Sequence, residues 1–150
     1  MEIKIETASI RLLDRLFEIE EQCFDREAFT KRQISYLLTD YNTIALVAKA
    51  QSDVEGFVIT QIELENDTLY GHIITINVAP SYRKKGIASK MLKETESILK
   101  QKGIIECRLE AREDNSAALH LYQNNGYKKI RRLEKYYGKS NGLYLKKTLQ

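Results

Sequence analysis

Two stretches of this chain carry side chains whose types and spacing could do chemistry. The first is Leu109-Glu110-Ala111-Arg112-Glu113-Asp114-Asn115-Ser116-Ala117-Ala118-Leu119-His120-Leu121-Tyr122-Gln123-Asn124-Asn125-Gly126-Tyr127. Glu110 stands in a strand-like run that otherwise reads as buried, where a carboxylate is suited to accept a proton. Tyr122 follows on a short helical pattern, and a phenol with an ordinary pKa near ~10 is suited to donate one. Each has a plainer reading. Glu110 alternates with Arg108 and Arg112, as on a strand's polar face, and Tyr122 lies beside Leu119 and Leu121, as core tyrosines do. The second stretch is Arg83-Lys84-Lys85-Gly86-Ile87-Ala88, which follows the β-branched run Ile73 to Val78 and the only proline, Pro80. A strand, a cationic turn and a helix start in that order suit a phosphorylated ligand, because free N–H groups and the helix dipole both favour negative charge. It is not a Walker A loop, and one glycine is too few for a dinucleotide fingerprint, so a solvated basic turn stays open.

The elements that must position these residues follow from periodicity. Ile3 and Ile5 alternate with charges over residues 2–6, a short half-buried strand. Ser9 is placed to cap a helix whose stripe is Leu12, Leu13, Leu16, Phe17, Ile19 and Cys23. Phe24 to Phe29 breaks the pattern as a loop with two aromatics, and Thr30-Lys31-Arg32-Gln33 is a capping-box sequence opening a second helix. Thr43 to Ala50, Gly56 to Leu64 and Thr68 to Ala79 read as antiparallel strands, the third long enough for a bulge or splay. A helix runs from Gly86 to a C-cap at Gly103. Ile104 to Arg112 is a strand parallel to the preceding one, since a full helix separates them. Asn115 or Asp114 caps a short helix through Asn124, and Tyr127 to Tyr136 and Gly142 to Leu149 form a last hairpin. The order β-α-α-β-β-β-α-β-α-β-β predicts one α/β domain over residues 1–150 with a mixed, mainly antiparallel sheet.

Composition narrows the function classes. A chain of 150 residues with 43% hydrophobic and 30% charged residues buries a real core. A formal net charge of +3 permits an anionic ligand but makes nucleic acid an unexpected partner. Cys23 and Cys107 have no metal or redox spacing and are expected as reduced core residues. His72 and His120 are not at ligand spacing either, so no metal is expected. No h-region and no long apolar run are present, which predicts a cytoplasmic protein without membrane attachment.

Taken together the two stretches resemble the GNAT superfamily of acetyl-CoA-dependent N-acetyltransferases. The resemblance is closest to the RimI-like and archaeal or eukaryotic protein N-terminal acetyltransferases. Members carry Arg/Gln-x-x-Gly-x-Gly/Ala at the long helix, matched by Arg83 to Ala88. They also carry Leu-Glu-Val-Arg-x-x-Asn-x-x-Ala-x-x-Leu-Tyr-x-x-x-Gly-Phe, matched by Leu109 to Tyr127 with alanine at 111 and tyrosine at 127. The resemblance implies the GNAT fold, with a splayed central parallel strand pair. It also implies acetyl-CoA as co-substrate and direct transfer in a ternary complex to the α-amine of protein N-termini, including ribosomal or nascent chains, by a monomer or homodimer.

Residue by residue, the resemblance implies that Ile76, Asn77 and Val78 meet the acetyl and pantetheine part. Arg83, Lys84, Lys85, Gly86, Ile87, Ala88 and Ser89 would cradle the pyrophosphate, and Asn115 would contact the same molecule. Glu110 matches the general base and Tyr122 the proton donor to the thiolate. Gly71-His72-Ile73 matches a segment whose histidine assists the base. Phe24, Phe29, Tyr136 and Tyr137 match the walls around a peptide N-terminus. Gly138-Lys139-Ser140-Asn141 departs from the acidic loop of one subgroup, which leaves protein lysines or a small amine such as a polyamine as alternative acceptors. An acyl-CoA-sensing or RNA-binding module without turnover is the alternative from another class.

Overall fold

The computed structural model describes residues 2–24 and 27–150, so Asp25 and Arg26 of the expected two-aromatic loop lie outside the described residues. The elements are β1 (Ile3–Thr7), α1 (Leu13–Phe24), α2 (Lys31–Thr39), β2 (Thr43–Ala50), β3 (Asp53–Glu65), β4 (Thr68–Val78), α3 (Ile87–Gln101), β5 (Glu106–Arg112), α4 (Ser116–Asn124), β6 (Lys128–Tyr137) and β7 (Ser140–Thr148). They follow the expected order. The strands form one mixed sheet, β1-β2-β3-β4-β5-β7-β6, in which only β4 and β5 pair in parallel.

Both faces of the sheet are covered, which gives two apolar layers. On one face Leu16 and Ile19 of α1 and Ile34 and Leu37 of α2 pack on Val47, Phe57 and Ile59. On the other, Ile87, Met91, Leu92 and Leu99 of α3 and Tyr122 of α4 pack on Leu46, Val58, Ile73, Leu109 and Leu145. Each fully buried large side chain contributes about 1.5–3 kcal/mol from area removed from water. The outermost strand, β6, carries exposed Lys128, Lys129, Arg131 and Arg132, and charge of this kind blocks edge-to-edge pairing.

Local signals set most boundaries. The capping box of α2 is formed both ways: Gln33 N–H donates to Thr30 Oγ1 at 3.1 Å and Thr30 N–H to Gln33 Oε1 at 2.8 Å. Ser9 behaves otherwise than expected. It precedes a 3-10 turn, Ile10–Leu12, without a side-chain capping bond, and the α-helix starts only at Leu13. β3 starts earlier than its apolar pattern, because Gln51 (φ 53°) and Ser52 (φ 76°) complete a two-residue turn and Ala50 pairs directly with Asp53. Asn115 is the cap of α4, its Oδ1 accepting from Ala118 N–H at 3.1 Å.

Two irregularities in β4 create the site. The register on β3 shifts between Ile59 and Thr60, so Thr60 faces Ile73 while Ile59 faces Thr75, and Ile74 is the extra residue of a bulge. Before the bulge Gly71 abuts Leu99 of α3, so His72 faces the opposite side, toward α1 and α2. After it Thr75 and Asn77 face that same side, where they meet Glu20 of α1. The second irregularity is the parallel pair itself. It is held only at Gly71↔Cys107, His72↔Arg108 and Ile73↔Leu109, after which the strands part.

Candidate active site

Where β4 and β5 part, a cleft of about 820 Å³ opens between the strand ends, α1, α4 and the start of α3. That volume lies within the range of sites that enclose a small molecule or a cofactor. One end is the cationic turn at the N-terminus of α3. Lys84 (φ 63°) and Gly86 (φ 77°) hold left-handed backbone just before α3, and turns of this kind at a helix N-terminus suit an anion because their free N–H groups and the helix dipole both favour negative charge. A Cβ on Gly86 would meet nothing within 4 Å, so its glycine answers to conformation rather than to space.

The three cations of this turn have separate fates. Arg83 reaches back to the strand, donating from Nε to Val78 O at 3.1 Å and from Nη2 to Cys23 Sγ at 3.3 Å. Lys84 lines the cleft. Lys85 does not: its ammonium sits 5.1 Å from the centre of the Tyr82 ring. Cys23, expected in the core, is half-buried on the cleft wall, whereas Cys107 is fully buried.

At the other end acid and base groups converge. His72 lies between two carboxylates, with Nε2 2.7 Å from Glu110 Oε1 and Nδ1 3.0 Å from Glu63 Oε2. Burial works against a charged ring here. The hydrogen bonds and charges of Glu110 and then Glu63 outweigh it and raise His72 from 6.5 to about 8. Tyr122 is 7% exposed, and burial raises its phenol well above the ordinary range. Its hydroxyl has no hydrogen-bond partner among the described residues and stays protonated at neutral pH. The cleft thus joins a carboxylate on β5 to a protonated phenol on α4.

The remaining walls are aromatic. Phe24 ends α1, Phe29 precedes α2, and Tyr136 and Tyr137 stand edge to face at 4.9 Å near the last hairpin; all four line the cleft. Behind Phe29 lies a polar cluster. Glu20, 1% exposed, accepts from Thr75 Oγ1 at 2.8 Å, Asn77 Nδ2 at 3.0 Å and Phe29 N–H at 3.2 Å. Burial raises the pKa of this carboxyl. Arg112 closes the opposite rim, pairing with Glu27 and Asp114 and donating to Ser140 Oγ at 2.6 Å.

His72, Glu110, Tyr122, Ile76, Asn77, Val78, Arg83, Lys84, Gly86, Ile87, Ala88, Ser89 and Asn115 also line this one cleft, leaving Lys85 as the exception among the expected positions. Asn77 does so with its side chain turned into the Glu20 cluster, so its contribution to a bound molecule comes from the backbone. Sequence reasoning missed Glu20, Glu63 and Arg112. Glu20 had a legible signal, a carboxylate on the apolar stripe of α1 beside Leu16, Ile19 and Cys23. Arg112 had one too, as the arginine of the Leu-Glu-Ala-Arg run, whereas Glu63 stands on the polar side of its strand between Ile62 and Leu64 and carries none. Among the described residues no three His, Cys, Asp or Glu side chains gather as metal ligands. No described helix is long and apolar enough to cross a membrane.

A splayed parallel pair, a cationic turn at a helix N-terminus, and a carboxylate and a phenol on the walls of one cleft are the parts that a group-transfer site for a ligand with a phosphorylated end would need. Residues 11–127 match the Acetyltransferase (GNAT) family. An N-alpha-acetyltransferase of Sulfurisphaera tokodaii is 30% identical over 72% of this chain and 70% of the relative. N-alpha-acetyltransferase 30 of Schizosaccharomyces pombe is 30% identical over 74% and 75% of the two chains. A spermidine N(1)-acetyltransferase of Thermoplasma acidophilum is 28% identical over 85% and 89%. Among solved structures, Ard1 from Thermoplasma volcanium superposes with a TM-score of 0.90 at 21% identity, covering 100% of this chain and 99% of the other. The ribosomal-protein-S18-alanine N-acetyltransferase from Escherichia coli reaches 0.88 at 18%, covering 99% and 95%. PaiA N-acetyltransferase from Thermoplasma acidophilum, in complex with coenzyme A, reaches 0.80 at 26%, covering 99% of each chain.

The chain belongs to the GNAT acetyltransferase family and is an acetyl-CoA-dependent acetyltransferase. The residues present fit that co-substrate: a left-handed, lysine-bearing turn at the start of α3 for its phosphates, and a gap between parted strands for its extended arm.

Proposed function

We propose that this chain, as a single GNAT domain over residues 1–150, acetylates the α-amine of protein N-termini in the cytoplasm, nascent chains included. The observation that carries this reading is the placing of Glu110 with His72 and of Tyr122 in one cleft whose remaining walls are Phe24, Phe29, Tyr136 and Tyr137. Acetyl-CoA supplies the acetyl group as a thioester. Lys84, Gly86 and the first turn of α3 hold its phosphates, and the unpaired edge of β4 from Ile76 to Val78 directs its arm. The aromatic walls hold an extended peptide by its first side chains, with the amine toward Glu110. An α-amine has a pKa near ~8 and needs little help to lose its proton, whereas a lysine amine near ~10.4 needs two further units. Glu110, backed by His72, accepts the proton as the amine attacks directly in a ternary complex. A β4 N–H near Val78 faces the thioester oxygen. Tyr122 donates to the departing sulfur.

A small polyamine is the second reading, favoured by the spermidine-acetylating relative. It needs a spare carboxylate for the second ammonium group, and the cleft carboxylates are engaged. Glu20 is buried with three donors, Glu27 is paired with Arg112, and Glu110 is bonded to His72. The test is acetylation of an N-terminal peptide library, followed by mass spectrometry, beside spermidine and internal-lysine peptides. Modification of peptide N-termini is expected; turnover only on spermidine or lysine overturns the reading. Glu110→Gln and Tyr122→Phe should each lower kcat by roughly a hundredfold or more, with the KM for acetyl-CoA unchanged.

A further inference from the structure

The acid–base end of the cleft does not stop at Glu110. Behind it the hydrogen-bonded chain continues through the His72 ring to Glu63 of β3, a carboxylate outside the cleft lining with a side chain 33% exposed to solvent. Tyr70 fixes the far oxygen of Glu63, donating from its hydroxyl to Oε1 at 2.7 Å. The Arg108 guanidinium lies 3.7 Å from the centre of the Tyr70 ring and is itself occupied by Glu65 and Glu106. The groups facing His72 are therefore Glu63 from β3, Glu110 from β5 and Tyr70 from its own strand, with Arg108 paired beside it. On the Glu110 side, Tyr136 has a phenol raised by burial and then by the charge of Glu110. Two carboxylates on the two ring nitrogens are more than is needed to hold a histidine in place.

We propose that Glu63 is a positioning residue for the catalytic base, holding His72 in the tautomer whose Nε2 lone pair faces Glu110, so that Glu63, His72 and Glu110 act as one proton acceptor. This rests on the reading of Glu110 as the base. The 2.7 Å and 3.0 Å contacts are those of the imidazolium, which donates from both nitrogens; above its pKa the ring loses Nε2–H, keeps Nδ1–H on Glu63, and turns an Nε2 lone pair toward Glu110 as an acceptor. The amine N–H bond breaks as the new N–C bond forms, and the proton passes to Glu110 and on to Nε2. The ring becomes an imidazolium between two carboxylates. When the acetylated product leaves, Nε2 returns that proton through Glu110 to water in the open cleft, which restores both the resting charges and the Nδ1–H tautomer held by Glu63. The carboxylates hold the ring's pKa at about 8, which matches an α-amine near ~8, so the transfer is nearly thermoneutral. Glu63 thereby tunes the acceptor to an N-terminal amine rather than to a lysine amine.

The experiment uses the full chain with one N-terminal peptide at varied pH, in wild type, Glu63→Gln and Glu110→Gln. Imidazole titration by NMR accompanies the kinetics. The chain has two histidines, so exposed His120 serves as the internal reference. The expected result for Glu63→Gln is a kcat reduced about tenfold, the loss of one charge-assisted hydrogen bond, with the KM for acetyl-CoA unchanged. The acid limb of kcat/KM should move about one unit lower, because a ring that has lost a carboxylate deprotonates earlier. The His72 NMR titration should move by the same amount while that of His120 stays. A fall in kcat without movement of the limb and the ring titration means that Glu63 is merely structural, and overturns the inference. If Glu110→Gln retains full turnover, the base assignment itself is wrong; if it abolishes turnover while Glu63→Gln behaves as wild type, only the present inference fails.

Discussion

Replacing Glu20 should loosen the Phe29 wall of the cleft, the wall proposed for the acceptor, before it disturbs the co-substrate. Its carboxylate ties three segments together: the hydroxyl of Thr75 and the amide of Asn77 on β4, and the backbone N–H of Phe29 ahead of α2. In Glu20→Ala all three donors lose this acceptor. Asn77 Nδ2 keeps its bond to Thr75 Oγ1 at 3.0 Å, and the Thr75 hydroxyl can rotate, so the loss is partly absorbed. Hydrogen bonds to a charged group are worth about 1.5–3 kcal/mol each, and the gain from no longer burying that charge offsets part of them. A net destabilisation of about 2–4 kcal/mol follows, or roughly 5–15 °C in Tm for a chain of this size. Glu20→Gln keeps an oxygen for Thr75 and Asn77 but sets an amide N–H₂ against Phe29 N–H, so it should release the loop selectively. Urea unfolding at pH 7 measures the first effect. Steady-state kinetics measure the second, with acceptor KM expected to rise severalfold and acetyl-CoA KM to stay put. The raised pKa of Glu20 adds a sign. The native state binds the proton more readily than the unfolded chain, so the cost of ionising the buried carboxyl is relieved as pH falls below its folded pKa. Glu20→Gln should lack that relief. A Glu20→Ala variant within about 0.5 kcal/mol of wild type, with acceptor KM unmoved, would refute the reasoning.

Other outcomes follow from single contacts. A Cβ at Gly71 would stand 2.6 Å from Leu99 Cδ1, so Gly71→Ala should cost about 1–3 kcal/mol in unfolding experiments and lower kcat by displacing the adjacent His72. His72 contributes stability through its raised pKa. With 6.5 unfolded and about 8 folded, that is about 2 kcal/mol fully present below pH 6.5 and lost as pH rises through 8. Urea unfolding at pH 6 and pH 9 on wild type and His72→Gln checks this, and an equal pH dependence in both would count against it. Thr30→Ala removes the capping box of α2 and should cost about 1 kcal/mol in denaturant unfolding, with acetyl-CoA KM unaffected.

Much of this molecule was legible before any coordinates, and the reasons are local. The stripe from Ile87 to Leu99, the Thr30–Gln33 box and the glycines at 86 and 103 depend on neighbours within a few residues, so the order of elements could be read directly. The two motif stretches, Arg83 to Ala88 and Leu109 to Tyr127, could be read for the same reason, since each is one turn or one strand–helix junction. What depends on distant partners was not legible. Lys85 and Lys84 are equivalent in sequence, yet one faces the cleft and the other the Tyr82 ring, because the left-handed backbone at Lys84 rotates the turn. Cys23 belongs to an apolar stripe and still lines the cleft, because the packing of α1 brings its sulfur to Val78 O at the end of β4 and to Arg83.

The candidate base shows the division most clearly. Sequence alone put Glu110 and His72 on strands, Glu110 within a run that otherwise reads as buried and His72 within a Gly-His-Ile segment that matches the family's. That they meet at 2.7 Å, and that Glu63 reaches the far side of the ring, was decided by tertiary structure. The parallel register sets His72 beside Arg108, and the bulge at Ile74 returns Thr75 and Asn77 to the face that His72 already occupies. Strand register is set by pairing across the sheet, and a shift of one residue sends a side chain to the other face. Local pattern can say which residues are on a strand; only the pairing partner says which of them share a side.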